Sequence, residues 1–128
     1  MRYLLDTHTF LWMAAEPAKL SAKIAGIVLS SENRLLLSAA SGWEIALLWY
    51  LKRVQLPDQP QRFIPEAMQK LSVIPLPIGF DTAISAATLP LVHRDPFDRI
   101  IIAEALKENM TVLTKDSTFA DYGTRILW

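Results

Sequence analysis

A chain of 128 residues with 13 basic and 13 acidic side chains, two histidines and no cysteine is long enough for one domain that buries roughly two-thirds of its unfolded surface. Lack of cysteine excludes disulfides, thiolate metal sites and cysteine nucleophiles, and two histidines make a structural zinc site a poor expectation. Balanced charge argues at first sight against a non-specific polyanion binder, while 52% apolar residues with four tryptophans predict either surface left over for a partner or an aromatic-rich core.

No apolar run approaches the ~20 residues that span a bilayer, and Asp6 follows Met1 too closely for a signal peptide. A soluble, cytoplasmic protein is expected, with residues 1–128 as a single domain.

Arg2 to Leu5 is a short apolar strand that ends on Asp6, and Thr7 to Ala15 turns into a helix, with His8 as a polar residue suited to capping it. Ser21 caps a second helix to about Ser31. Arg34 to Ser38 has the continuous apolar run of a strand covered on both faces. Ser38 or Ser41 then caps a third helix, Ala40 to about Arg53, whose Trp43, Leu47, Leu48 and Leu51 form one stripe, with Glu44 beside it near the start.

After a loop at Leu56–Pro60, residues Arg62 to Leu71 read as a fourth helix, with Pro65 placed in its first turn, where proline is tolerated. Ser72 to Pro77 is extended, and its two prolines put it at a sheet edge or outside the sheet. Phe80 to Leu89 is a small apolar helix. The stretch His93-Arg94-Asp95-Pro96-Phe97-Asp98 opens another: Pro96 suits the first helical position, so Asp95 is the N-cap and Asp98 the third helical residue. Apolar residues on nearly every side to Leu106 describe a helix packed on more than one face, stopped by Asn109. Met110 to Thr114 is a strand leading to Lys115-Asp116, Tyr122-Gly123 is a turn, and Arg125 to Trp128 is the last strand.

Strands alternating with helices predict an α/β domain with a mainly parallel sheet of four to five strands flanked by helices. Ligands of such sheets sit beyond the carboxyl ends of the strands. Asp6, Glu44, Asp98 and Asp116 all fall at that end; Asp121 rivals Asp116 but reads as an exposed turn acid. Neighbouring carboxylates ~4 Å apart repel by about 1 kcal/mol in water and about 4 kcal/mol at an effective dielectric near 20. An oxygen-only set suits Mg²⁺ or Mn²⁺, which points to metal-assisted attack of water on a phosphodiester. The competing class is an α/β phosphatase or receiver-like phosphoacceptor domain. A receiver, however, needs an acidic pair after the first strand and an acid mid-chain, whereas Asp6 is single and Leu37-Ser38-Ala39 carries none.

Four segments together, Leu4-Leu5-Asp6-Thr7-His8, Ser38–Ala46 around Trp43-Glu44-Ile45, Asp95–Ala103, and Leu113–Phe119 around Asp116, resemble the PIN-domain ribonucleases and, within them, the VapC-type toxins of bacterial toxin–antitoxin pairs. The resemblance runs from Met1 to Trp128. It implies a three-layer PIN-like fold, Asp6, Glu44, Asp98 and Asp116 as metal-binding catalytic acids, Mg²⁺-dependent RNA cleavage, homodimerisation and an inhibitory antitoxin. Asp95 is left as a cap standing behind the ligands. Many family members place a lysine soon after the glutamate, whereas this chain has Leu47-Leu48-Trp49-Tyr50-Leu51 before Lys52. A PIN-like domain that only binds a partner or RNA is the alternative, and the intact acid set argues against it.

Metal would reconcile the neutral charge with RNA. Setting aside four site acids from 13 leaves 9 against 13 basic residues, so the loaded mouth attracts phosphate. Arg94, Arg99 and Lys115, which flank the acids, are the candidate RNA-backbone contacts, with Lys52-Arg53 further out.

Overall fold

In the computed structural model, which describes all residues from Met1 to Trp128, five short strands form one sheet: β1 (Arg2–Leu5), β2 (Arg34–Ser38), β3 (Val73–Leu76), β4 (Thr111–Leu113) and β5 (Ile126–Leu127). Every pairing is parallel, in the order β3-β2-β1-β4-β5. Six helices cover it: α1 (Thr7–Ala15), α2 (Ala22–Leu29), α3 (Ala39–Tyr50), α4 (Pro60–Lys70), α5 (Phe80–Ala87) and α6 (Pro96–Glu108).

The period-two alternation of strands divides the core into two layers. Tyr3, Leu5, Leu35, Leu37, Val73 and Leu113 point to one side and meet Phe10, Met13, Ile24, Ile45 and Ala67 from α1, α2, α3 and α4. Leu4, Leu36 and Val112 point to the other and meet Ile101, Ile102 and Ala105 of α6 together with Met110 and Phe119. Both faces being covered explains why β1 and β2 read as uninterrupted apolar runs. The result is the three-layer α/β architecture expected.

Several boundaries differ from the sequence reading, each for a local reason. α4 begins at Pro60, whose preset φ suits the first helical position, so Pro65 lies beyond the first turn, inside the helix. α3 ends at Tyr50, three residues early, because Lys52 adopts a left-handed φ of 59°. β3, by contrast, takes the edge position that its prolines allow, with Pro75 opposite Leu37. α1 is capped by Asp6 and not by His8. α6 begins as expected, with Asp95 Oδ1 accepting the N–H groups of Phe97 at 2.9 Å and Asp98 at 3.1 Å.

β1 sits between β2, its successor in the chain, and β4, which arrives only after α6. The direction of winding reverses at β1, and this is where a parallel sheet opens a crevice at its carboxyl edge. No helix is long and apolar enough to cross a membrane.

Candidate metal centre

Asp6 follows β1 directly and is buried, with 3% of its surface exposed. Its backbone N–H donates to Leu113 O at 3.2 Å, continuing the β1–β4 ladder. Its Oδ1 accepts the Thr7 N–H at 2.7 Å and its Oδ2 the Thr114 hydroxyl at 2.6 Å. The same Thr114 oxygen accepts the Asp116 N–H at 3.0 Å. Thr114, which nothing in the sequence marked, therefore links the acid after β1 to the acid after β4.

Asp116 caps the short 3-10 turn Ser117–Tyr122: its Oδ1 takes the Thr118 N–H at 3.0 Å and the Thr118 hydroxyl at 2.7 Å. This leaves Oδ2 for the crevice. Glu44, in the second turn of α3, is half-buried, and its Oε1 has no hydrogen-bond partner. A Thr7–Ser41 hydroxyl bond of 2.9 Å braces α1 against α3 below it. Asp98 stands in the first turn of α6.

Electrostatics binds these segments into one centre. Burial pushes the Asp98 carboxyl up to about 8, and the charges of Asp6, Asp95, Glu44 and Asp116 push in the same direction. Burial also raises Asp6, against the opposing pull of His8 and its hydrogen bonds from Thr114 and Thr7. It raises Glu44, opposed by Thr7 and reinforced by the charges of Asp95 and Asp6. Partial burial pushes Asp116 up, but the Thr118 hydroxyl and N–H with the His93 and His8 rings outweigh it, so this carboxyl lies below its ordinary range. A crowded set of carboxylates, three of them resisting ionisation and one with an unpartnered buried oxygen, is a donor set that fits a divalent cation.

Both histidines join the acids, and the sequence reading gave neither a metal-site role. Nδ1 of His8 lies 3.2 Å from Asp6 Oδ2, its ring against Trp12 with centroids 4.9 Å apart. Nε2 of His93 lies 2.8 Å from Asp98 Oδ2 and 3.8 Å from Asp116 Oδ2. The available signal was proximity in sequence: His8 is two residues from Asp6, and His93 opens the stretch that carries Asp98.

Among the basic candidates, Arg94 and Lys115 are exposed beside the acids. Arg99 is a correction. Only 6% exposed, its guanidinium donates to Ala87 O, Leu89 O, Pro90 O and His93 O at 2.8–3.2 Å, and to the Tyr122 hydroxyl at 3.3 Å. It is a clamp on the segment between α5 and α6, set at the negative C-terminal end of α5, with both terminal nitrogens committed there. Although adjacent in sequence, Arg99 and Asp98 diverge because successive helical side chains point about 100° apart. Asp121 is exposed, as expected of a turn acid.

Comparison with known proteins places the chain in a family. The sequence profile of the family described as PIN domain matches residues 3–124. Over 116 residues the chain is 31% identical to Ribonuclease VapC22 of Mycobacterium tuberculosis (strain ATCC 25618 / H37Rv), covering 88% of this chain and 85% of that protein. In fold it is similar to VapBC2 from Rickettsia felis, solved bound to a DNA fragment from their promoter, with a TM-score of 0.72 at 15% identity over 99% of this chain and 98% of that one. FitAcB from Neisseria gonorrhoeae gives 0.64 at 22% identity, over 98% and 96%. With nearly its whole length matched and its acids gathered at one sheet edge, this chain belongs to the PIN-domain family.

Proposed function

We propose that the protein is a metal-dependent endoribonuclease, the toxin of a type II toxin–antitoxin pair, in which Asp6, Glu44, Asp98 and Asp116 hold Mg²⁺ or Mn²⁺. The observation that carries this reading is that Asp98 stands within 4.8 Å ligand reach of Asp116 and His93 and feels the charges of Asp6, Glu44 and Asp116 from three other segments. The likeness to Ribonuclease VapC22 over most of both chains supports RNA as the substrate. A purely binding role would leave the cost of burying these acids unexplained.

A divalent ion bound by these acids supplies an activated water and neutralises charge developing on the scissile phosphate. The protein's own residues supply position. Asp95 takes up two N–H groups at the start of α6, so the Asp98 carboxylate is not drawn into capping. Thr114 fixes Asp6 relative to Asp116. Glu44 offers a free acceptor oxygen. Arg94 and Lys115, both exposed, neutralise flanking phosphates.

Purified protein is expected to cleave RNA internally when Mg²⁺ or Mn²⁺ is present and to stop on chelation, with gel analysis of fragments as the readout; metal-independent cleavage would refute the mechanism. Arg94→Ala and Lys115→Ala should each weaken RNA binding without lowering the melting temperature. Each should also reduce the slope of log affinity against log salt by about 0.7 to 1. An unchanged slope removes that residue from the RNA contact set.

The reading includes a homodimer and a cognate antitoxin. Trp43, Leu47, Tyr50 and Leu51 leave an apolar stripe exposed along α3, Trp43 at 60% and Tyr50 at 75%. A monomeric protein rarely leaves such a stripe in water. Light scattering at micromolar concentration should give twice the 14.4 kDa chain mass; a monomer refutes the dimer.

A further inference from the structure

Resting on the metal-nuclease reading, we infer that His93 is a metal ligand in its own right and makes this centre select Mn²⁺ over Mg²⁺. Nε2 of His93 and one carboxylate oxygen each of Asp98 and Asp116 lie within 4.8 Å of one another, a spread that one ion can draw together. Although 2.8 Å from Asp98 Oδ2, the ring nitrogen is buried and makes no aligned hydrogen bond. Its in-plane direction is therefore not spent on either acid.

The backbone that carries the ring is also held in place. The His93 backbone N–H donates to the Tyr122 hydroxyl at 2.6 Å, and its carbonyl accepts from Arg99 at 3.2 Å and from that same hydroxyl at 3.3 Å. Four of the five acceptors of Arg99 lie in residues 87–93, so the buried guanidinium fixes the segment that presents His93 to the crevice. A ligand whose backbone is fixed before metal arrives loses little entropy on binding.

The donor set determines the choice of ion. Carboxylates and water serve Mg²⁺ and Mn²⁺ alike, whereas Mg²⁺ favours oxygen and keeps its waters. An imidazole nitrogen favours the transition metal. Two carboxylates with one imidazole are a set in which Mn²⁺ gains a bond that Mg²⁺ takes reluctantly.

The test is pulsed EPR of the full chain loaded with Mn²⁺, with Mn²⁺ and Mg²⁺ affinities measured by calorimetry. Wild type should show a nitrogen coupling to Mn²⁺ that His93→Gln abolishes and His8→Gln retains. His93→Gln should weaken Mn²⁺ binding on the order of tenfold and Mg²⁺ binding by less than about twofold, narrowing the ratio between them. A wild-type Mn²⁺ complex without nitrogen coupling, or a coupling that survives in His93→Gln, overturns the ligand assignment and leaves the nuclease reading intact. Equal losses for the two ions overturn the selectivity. Failure of wild type to bind either ion overturns both this inference and the reading beneath it.

Discussion

Asp98→Asn is expected to lose RNA cleavage by about a hundredfold or more, since a metal ligand contributes several kcal/mol to the transition state and each 1.36 kcal/mol is tenfold. The same variant should melt higher than wild type when both are metal-free above about pH 8. The sign follows from the carboxyl's displacement: its ordinary value is 3.8, and in the fold burial and the four neighbouring acids raise it to about 8. A carboxyl raised on folding contributes stability that is fully present below about pH 4 and lost as pH rises through about 8. Wild type above that pH carries an ionised Asp98 crowded by like charges; asparagine of nearly the same shape carries none.

Near pH 4 the two proteins should melt alike. A smaller decline with pH is expected to persist in Asp98→Asn, because Glu104, 3% exposed and with neither carboxylate oxygen hydrogen-bonded, is also pushed up by burial, to about 7, with Ser38 opposing. Metal inverts the order. A cation at a hundred times its dissociation constant stabilises the wild-type fold by about 2.7 kcal/mol, and the variant gains less. Cleavage and calorimetric melting with and without Mn²⁺ check both halves. Full activity in Asp98→Asn defeats the site assignment, and a lower metal-free melting temperature above pH 8 defeats the electrostatic account.

Arg99→Ala should be among the most destabilising single substitutions in the chain, on the order of 4 kcal/mol. Removing the guanidinium leaves the Ala87 and Leu89 carbonyls without their donor and takes one of two donors from Pro90, which keeps the Val92 N–H, and from His93, which keeps the Tyr122 hydroxyl; each acceptor stranded out of water costs about 1–3 kcal/mol, not additively. Domains of this kind are stable by only about 5–15 kcal/mol, so the melting temperature should fall by roughly 10 °C or more. Arg99→Lys should not rescue it, because an ammonium has three donors on a point charge and cannot reproduce a planar five-donor fork. If Arg99 instead served RNA, lysine would retain most binding and the fold would be untouched. Circular dichroism melts and RNA-binding measurements separate the two: an Arg99→Ala variant that melts like wild type but binds RNA weakly, with Arg99→Lys keeping both stability and binding, would restore the phosphate-contact role.

Much of the fold is legible in the sequence because its determinants are local. The apolar runs of β1 and β2 require cover on both faces. Pro96 with Asp95 fixes the start of α6, and acids placed after strands fall at the carboxyl edge whatever the details of packing. Boundaries slipped where one residue's backbone decided them, as at Lys52 with φ of 59°. Pro96 already separates Asp95 as the cap from Asp98 as the site acid, and packing adds what each meets: Asp95 takes two N–H groups, while Asp98 feels three distant carboxylates and Asp95 itself.

By itself, then, the sequence determined the strand–helix alternation, the acid at each site segment and the family those acids imply. Tertiary structure decided which neighbours of those acids take part. Thr114 reaches Asp6 across 108 residues, and His93 comes within 3.8 Å of Asp116, while Arg99, one residue from Asp98, turns into the protein to hold the segment that carries His93. Sequence spacing fixes the direction of a side chain only within its own helix or strand, whereas these partners are set by how separate elements pack, and that depends on the whole core.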